Sequence, residues 1–208
     1  MSAADRIARA LFAFYMAAFF IYLFAPLVVM SAATFNTSRF PTVTPWQGTT
    51  LQWFTALWND RPMWQSVWTS IVVAFFVVLV ALPVGTAAAL ILTSLHARAR
   101  SFLYALMVSP LLTPGVVIGI ATLVLWRQMG VGGGIFLIVV AQASFIICYV
   151  MLMVAARLQR FDRTQEEAAL GLGASKFMVF RRILLPFLRP ALIAAAFLAI
   201  LQSVENYN

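Results

Sequence analysis

Side chains that could carry acid–base, nucleophilic or metal chemistry are scarce in this sequence. The chain has one histidine, His96, and one cysteine, Cys148, so neither a His-based metal cluster nor a Ser-His-Asp triad can be assembled. The one lysine, Lys176, follows Ser175, whereas a phosphate-binding loop needs Gly-Lys followed by Ser or Thr. The sequence therefore predicts no catalytic residue, no metal site, no bound cofactor and no ATPase site of its own.

One carboxylate is placed where it could contact a solute. Of the six acidic residues, Glu205 alone falls in or near a long apolar run, 16 residues after Arg189 and about 24 Å along a helix. An acid at that depth is by default a candidate functional site, and a carboxylate suits a cationic substrate. We predict a substrate path at Glu205 with Gln202, Asn206 and Tyr207; the alternative is that Glu205 lies in water at the membrane interface.

The elements that must position these residues are membrane helices. The 208 residues are 63% hydrophobic and 10% charged, with a mean hydropathy of +0.96, whereas a soluble domain carries about 25% charged residues. A spanning helix needs about 20 apolar residues, and a lone strand would leave its backbone groups unsatisfied in lipid. The charge-free runs predict an all-α integral membrane protein with spans near residues 10–34, 66–94, 102–125, 134–156 and 187–208.

Prolines and glycines interrupt these predicted spans. A proline or glycine can break or kink a helix and free carbonyl groups, and such positions often line cavities in transporters. Ordinary structural kinks are an equally common outcome, so both interpretations stay open. The positions are Pro83, Gly85, Pro110, Pro114, Gly115 and Gly119.

The distribution of charge predicts the topology. Eleven of the 14 lysines and arginines fall on one side if the spans alternate, so the positive-inside rule places the N-terminus and the 157–189 loop in the cytoplasm. The net charge of +8 thus reports topology, and nucleic-acid binding is not predicted. The six tryptophans lie in or beside the predicted external segments, and we expect 35–64 to lie on the membrane surface. The first apolar run is longer than the core of a signal peptide, which favours a retained anchor over a cleaved leader.

The charged segment between spans four and five predicts two short helices. Thr164 and Glu167 have capping-box spacing, and Gly171 or Gly173 could end the first helix. Ser175 could cap a second helix that stops near Pro186. On that helix a stripe of Phe177, Phe180 and Leu184 could pack on the protein's own spans, lie in the lipid interface, or dock into a soluble partner's groove.

This segment resembles a known signature. Glu167, Ala168 and Ala169, then Gly173, then Ile183, Leu185 and Pro186 match the EAA signature of permease subunits in binding-protein-dependent ABC importers. Further stretches, such as "TFNTSRF", "SPLLTPGVVIGI" and "AALGLGAS", are similar to the spermidine/putrescine branch. The sequence departs from that branch at three places. Gln142 stands where many relatives have His, Cys148 stands where many have Pro, and "SVENY" stands where they have an Asp-containing stretch.

The resemblance implies a type I ABC importer permease-like helical bundle, a single domain over residues 1–208 with five spans visible of an expected six. It implies that the 158–186 loop, with Phe177, is the coupling element held by a cytoplasmic ABC ATPase dimer. It also implies ATP used by those partner subunits, a second permease subunit or homodimer, an external solute-binding protein, and multi-pass insertion in the bacterial inner membrane. On this basis we also expect that a sequence stopping at Asn208 is truncated.

Three functional alternatives remain at this point. The leading hypothesis is a permease for a polyamine, although iron, an oxyanion, a sugar or another organic cation fits the same signature. A second is an ATP-independent channel or secondary transporter whose basic loop binds anionic headgroups. A third is a membrane scaffold with no transport role.

Overall fold

The computed structural model describes the backbone of residues 3–206 and the side chains of residues 5–206. Within that part of the chain, helices account for nearly all regular structure and the only β-type pairing is an isolated bridge between Asn36 and Thr49. The α-helices are α1 Ala3–Ala33, α2 Gln52–Asn59, α3 Arg61–Ser94, α4 Ala97–Val108, α5 Gly115–Gln128, α6 Ile135–Leu158, α7 Thr164–Gly171, α8 Lys176–Val179 and α9 Leu185–Glu205. A 3-10 turn, Ser109–Leu112, follows α4, and a π-helical turn, Phe180–Leu184, joins α8 to α9. The all-α prediction is confirmed.

Within residues 3–206, four helical stretches are long and apolar enough to cross a membrane. They are Asp5–Ala33, Arg61–Ser94, Ile135–Leu158 and Lys176–Glu205. Each overlaps a predicted span and α3 ends at Ser94 as predicted, but α3 and the last stretch begin before their predicted first residues, at Arg61 and Lys176. The clearest case is α3, which begins at Arg61 within the segment 35–64 predicted to lie on the surface.

The predicted span 102–125 is not one straight helix. Ala97–Leu112 and Gly115–Gln128 meet at an angle of 103° across a two-residue break. Pro114 lacks an N–H and disfavours the helical conformation at the residue before it, and Thr113 accordingly has an extended ψ of 130°. The expected break is therefore confirmed at Pro114, whereas Pro110 lies within the 3-10 turn, and the helix pair forms either a broken span or a re-entrant loop. By contrast, α3 runs through Pro83 and Gly85.

By their internal contacts, Met1–Gln65 and Ser66–Asn208 form two compact units. The expectation of one domain over residues 1–208 stays a prediction.

In the first unit, the buried Asn36 organises the segment after α1: its Nδ2 donates to the carbonyls of Thr42 at 2.9 Å and Pro45 at 3.2 Å. Its Oδ1 accepts from the Gln47 N–H at 3.0 Å, and Trp53 Nε1 donates to its carbonyl at 2.8 Å.

In the second unit the core forms around α6 and α9. Small residues recur every four positions on α9, which places them on one face and lets two helices approach closely. Those at 195, 199 and 203 are buried, as are larger side chains of α6, so small residues of one helix meet large residues of the other. The small residues on α9 are Ala191, Ala195, Ala199 and Ser203, and the larger buried residues on α6 are Ile146, Val150, Met151 and Val154.

The approach of α3 to α6 depends on Gly85. A Cβ at this position would lie 2.7 Å from Val150 Cβ and 2.9 Å from the Ile147 carbonyl oxygen. Only a hydrogen fits in that space, so the glycine permits contact between the two helices rather than a kink.

Candidate functional site

The coupling segment, residues 158–186, begins with a turn built on Asp162. Asp162 Oδ1 accepts hydrogen bonds from the Thr164 backbone N–H at 3.0 Å and from the Thr164 hydroxyl at 2.8 Å. The hydroxyl bond first, and the backbone bond second, lower the pKa of Asp162 below its ordinary value. Helix α7 then starts at Thr164, with Arg163 as its N-cap.

The predicted capping box at Thr164 and Glu167 is therefore wrong in its contacts, although the helix begins where it was expected. The Glu167 N–H donates to the Arg163 carbonyl at 3.1 Å rather than to the Thr164 hydroxyl. Asp162, two residues earlier, accepts from the Thr164 hydroxyl and holds it away from the helix. A short acid at that spacing favours a local turn of this kind, and this signal was available in the sequence.

Two backbone hydrogen bonds, from Gly173 and from the residue after it, terminate α7. The Gly173 N–H donates to the Leu170 carbonyl and the Ala174 N–H to the Ala169 carbonyl, each at 3.0 Å. This Schellman pattern needs a left-handed residue, and Gly173 has a φ of +85°. The prediction that a glycine ends the helix is confirmed, and Gly173 is the one in the left-handed conformation.

Ser175 caps the second helix as predicted, since its Oγ accepts from the Met178 N–H at 3.2 Å. The prediction that this helix stops near Pro186 is wrong. The chain passes through the π-helical turn into α9, so one helical stretch runs over Lys176–Glu205. Pro186 falls in the first turn of α9, where a proline is tolerated because the N–H groups there need no partner in the same α-helix.

The predicted stripe of Phe177, Phe180 and Leu184 divides between two environments. Phe177 is 70% exposed, Phe180 is half-buried, and Leu184 packs against the core of the second unit. Packing on the protein's own spans is thus confirmed for Leu184. It does not account for Phe177.

Four exposed apolar side chains surround the bend between α7 and α8. Leu172 is 90% exposed and Phe177 is 70% exposed, with Leu170 and Met178 also exposed. We call Leu170, Leu172, Phe177 and Met178 the apolar edge. The sequence pattern does not reveal Leu172, because the exposure of its side chain depends on the left-handed turn at Gly173 and not on any helical period.

The other predicted coupling residues lie in α7 before this bend or at the π-helical turn and the start of α9 after it. Glu167 and Ala168 are exposed and Ala169 is half-buried, while Ile183 and Leu185 are half-buried and Pro186 is exposed. The structure brings these residues into one segment. Their coupling role stays a prediction.

Two arginines form contacts at or beside the coupling segment: Arg157 joins α6 to α9 next to its ends, and Arg163 joins the segment itself to α3. Arg157 Nε donates to the Phe187 carbonyl at 3.2 Å, and its guanidinium carbon lies 4.2 Å from the centre of the Phe187 ring. The Phe161 ring packs on the same ring at 5.1 Å. Arg163 Nη2 donates to the Thr93 carbonyl near the end of α3 at 3.2 Å.

The candidate substrate path lies at the opposite end of α9. Glu205 is the last residue of α9 and is exposed, Gln202 and Asn206 are half-buried, and Tyr207 lies outside the described residues. The buried polar group nearby is a pair that the sequence did not predict: Ser203 Oγ donates to Gln142 Oε1 at 2.5 Å between α9 and α6. The four-residue spacing of small residues that ends at Ser203 is the signal that could have found it.

A cavity of about 310 Å³ lies between α5 and α6. Its walls are almost wholly apolar and include Gly119, Gly134 and Ala141, but not Glu205. The interpretation that a glycine lines a cavity therefore fits Gly119, whereas Gly85 serves helix packing. Within the described residues, no group of three or more His, Cys, Asp or Glu side chains could hold a metal ion.

Comparison with known proteins identifies the family. Residues 81–207 match the family described as "binding-protein-dependent transport system inner membrane component". That range holds 127 of the 208 residues and includes the whole coupling segment and α9. The chain belongs to this family.

Individual relatives extend the similarity of this permease to its N-terminal part. It is 31% identical over 192 residues to the spermidine/putrescine transport system permease protein PotC of Escherichia coli (strain K12), covering 92% of this chain and 72% of the relative. It is 32% identical over 194 residues to the putrescine transport system permease protein PotI of the same strain, covering 90% and 68%. The predicted permease class and its placement in the inner membrane as a multi-pass protein are confirmed.

A solved structure supports the fold of the permease. A chain from the crystal structure of a bacterial ABC transporter involved in the import of the acidic polysaccharide alginate superposes with a TM-score of 0.74. The match covers 98% of this chain and 72% of that chain at 16% identity. The similarity confirms the fold class.

Proposed function

We propose that this permease is the membrane-spanning subunit of an ATP-driven importer and that its solute is a polyamine of the spermidine/putrescine type. The observation that supports the motor half of this proposal is the apolar edge. Two of its side chains, Leu172 and Phe177, are 90% and 70% exposed to solvent. They lie on a bend that is fixed by the Schellman motif at Gly173 and the Ser175 cap. Exposed apolar residues on a rigid turn are typical of a surface that docks a partner.

The partner that fits the apolar edge is a cytoplasmic ATPase dimer. The chain carries no phosphate-binding loop, so ATP binding and hydrolysis belong to partner subunits. The family's own description requires a solute-binding protein, and a second permease subunit or a second copy of this chain completes the pore. In this arrangement the N-terminus is cytoplasmic and Glu167, Ala168, Ala169, Gly173, Phe177, Ile183, Leu185 and Pro186 form the docked segment.

The choice of polyamine rests on the relatives and on one charge. PotC and PotI are named for spermidine and putrescine transport. Glu205, exposed at the end of α9, supplies a carboxylate that suits a polycation, and Gln202, Asn206 and Tyr207 adjoin it in sequence. Iron, an oxyanion, a sugar or another organic cation are the competing solutes.

Uptake of labelled spermidine into proteoliposomes holding the assembled transporter tests this proposal. We expect uptake that requires ATP on the ATPase side and that unlabelled putrescine, but not maltose or phosphate, reduces. Uptake that proceeds equally without ATP would favour a channel or secondary transporter. ATP-dependent uptake of a different solute, with none of spermidine, would retain the importer and overturn the polyamine.

A further inference from the structure

One arginine holds both the backbone and the side chain of a residue on the facing helix. Arg157, in the last turn of α6, donates from Nε to the Phe187 carbonyl at 3.2 Å while its guanidinium carbon lies 4.2 Å from the centre of the Phe187 ring. The Phe161 ring adds a contact at 5.1 Å. The two chain segments that leave the coupling segment therefore meet at Phe187.

The backbone at this meeting point is the least regular part of the helical stretch. The π-helical turn Phe180–Leu184 comes just before it, and π turns interrupt the α-helical hydrogen-bond pattern. Pro190 follows three residues later and has no N–H for the Pro186 carbonyl. Without an outside contact, movement of α8 would be absorbed in this stretch instead of passing into α9.

Arg157 supplies that outside contact, and a second contact fixes the far end of the same helix pair. The Ser203 to Gln142 hydrogen bond joins α9 to α6 again, 16 residues after Phe187 and 15 residues before Arg157. At about 1.5 Å per residue these separations are about 24 Å and 22 Å, so two antiparallel helices are joined at both ends in matching register. Between the joints the small-residue face of α9 packs on α6.

We propose that Arg157 is a positioning residue which converts movement of the coupling segment into joint movement of α6 and α9. The inference rests on the proposed function, because it assumes that an ATPase moves this segment. Arg157 does not contact the ATPase in this proposal. Its loss leaves the ATPase bound and hydrolysing ATP but reduces the solute moved per ATP.

The test measures ATPase retention and the ratio of uptake to ATP hydrolysis in proteoliposomes holding the assembled transporter. The variants are Arg157→Gln, Arg157→Lys, Phe187→Leu and Phe187→Tyr, with Arg98→Gln as a control that removes an exposed arginine from α4. We expect the ratio to fall about fivefold or more in Arg157→Gln and Phe187→Leu, which is the usual lower range of coupling between sites. Arg157→Lys keeps a cation and recovers part of the ratio, and Phe187→Tyr keeps the ring and retains it.

Three results would overturn the inference. A ratio equal to wild type in both Arg157→Gln and Phe187→Leu would show that the contact transmits nothing. Loss of the ATPase from Arg157→Gln would show that Arg157 supports docking instead of transmission. If wild type retains no ATPase at all, the proposed function fails first and the inference fails with it.

Discussion

Gly173 shows how a single residue fixes the shape of the coupling segment. Its φ of +85° lies in the left-handed region, and a Cβ there would meet nothing within 4 Å, so the constraint is conformational and not steric crowding by neighbours. Gly171, two residues earlier, is helical and equally open. The same substitution at the two positions therefore isolates the backbone strain, because the added methyl group meets no neighbour at either one.

We expect Gly173→Ala to loosen the bend and Gly171→Ala to leave it intact or tighten it. A left-handed alanine costs roughly 1–2 kcal/mol, whereas an alanine in a helix gains up to about 1 kcal/mol over glycine. Hydrogen exchange of the amides of residues 168–174 should accelerate about 5- to 30-fold in Gly173→Ala. Equal exchange in the two variants would contradict the assigned role of Gly173.

Asp162 gives the segment a dependence on acid pH. Because Thr164 donates two hydrogen bonds to its carboxylate, the pKa of Asp162 is lowered on folding. A lowered pKa means that the carboxylate stabilises the turn fully above its ordinary pKa of about 3.9 and that this contribution is lost as the pH falls through the lowered pKa.

A carboxyl NMR titration in detergent measures the effect at Asp162. We expect its midpoint to lie below that of a free aspartate, and Thr164→Val to raise it because the hydroxyl bond is the larger cause. Asp162→Asn keeps an acceptor oxygen and should remove the acid dependence of exchange at Thr164. A wild-type midpoint at the ordinary value would contradict the turn described here.

At the scale of elements, close helix contacts depend on residues whose purpose the sequence leaves ambiguous. Gly85 was expected to kink or line a cavity, yet it permits the contact of α3 with α6 at Val150. Gly119 has open space around it in α5. Composition alone does not distinguish the two, because the difference lies in what the neighbouring helix presents.

We expect Gly85→Ala to destabilise the protein by about 1–3 kcal/mol, the usual cost of overpacking a close contact. Gly119→Ala, with nothing within 4 Å of the new Cβ, should have little effect. Thermal unfolding midpoints in one detergent compare the two variants directly. A midpoint unchanged by Gly85→Ala would show that α3 and α6 are not in contact there.

The Ser203 to Gln142 bond should contribute to the pairing of α6 and α9. Ser203→Ala leaves the Gln142 side chain without this donor, and hydrogen bonds between membrane helices contribute about 0.6–2 kcal/mol. The double variant Ser203→Ala with Gln142→Leu removes both polar groups and should recover most of that loss. Additive losses in the double variant, measured by thermal unfolding, would indicate that the two side chains do not interact.

At the scale of the whole molecule, the predictable features are those set by chain-wide patterns. Hydrophobic run lengths predict the membrane helices because lipid leaves the backbone no other partner than its own segment. The break at Pro114, the end of α7 at Gly173 and the start of α8 at Ser175 follow from single residues with strong local preferences.

What the sequence could not predict depends on contacts between distant segments. Arg157 meets Phe187 across 30 residues and Ser203 meets Gln142 across 61, and no local pattern specifies either pair. The continuation of the helix past Pro186 was missed because the π-helical turn redistributes the hydrogen bonds before it. The exposure of Leu172 likewise becomes evident only once the bend is in place.

The central claim is that the apolar edge docks an ATPase, and a pull-down of the tagged full-length protein from native membranes in mild detergent tests it. Wild type and Ala97→Asp, which adds a charge at an exposed position of α4, should retain an ATPase identified by mass spectrometry. Leu172→Asp places that charge on the apolar edge and should lower the retained ATPase at least about tenfold. Absence of any ATPase with wild type, under conditions that preserve other membrane complexes, would contradict the claim, as would equal retention by Leu172→Asp.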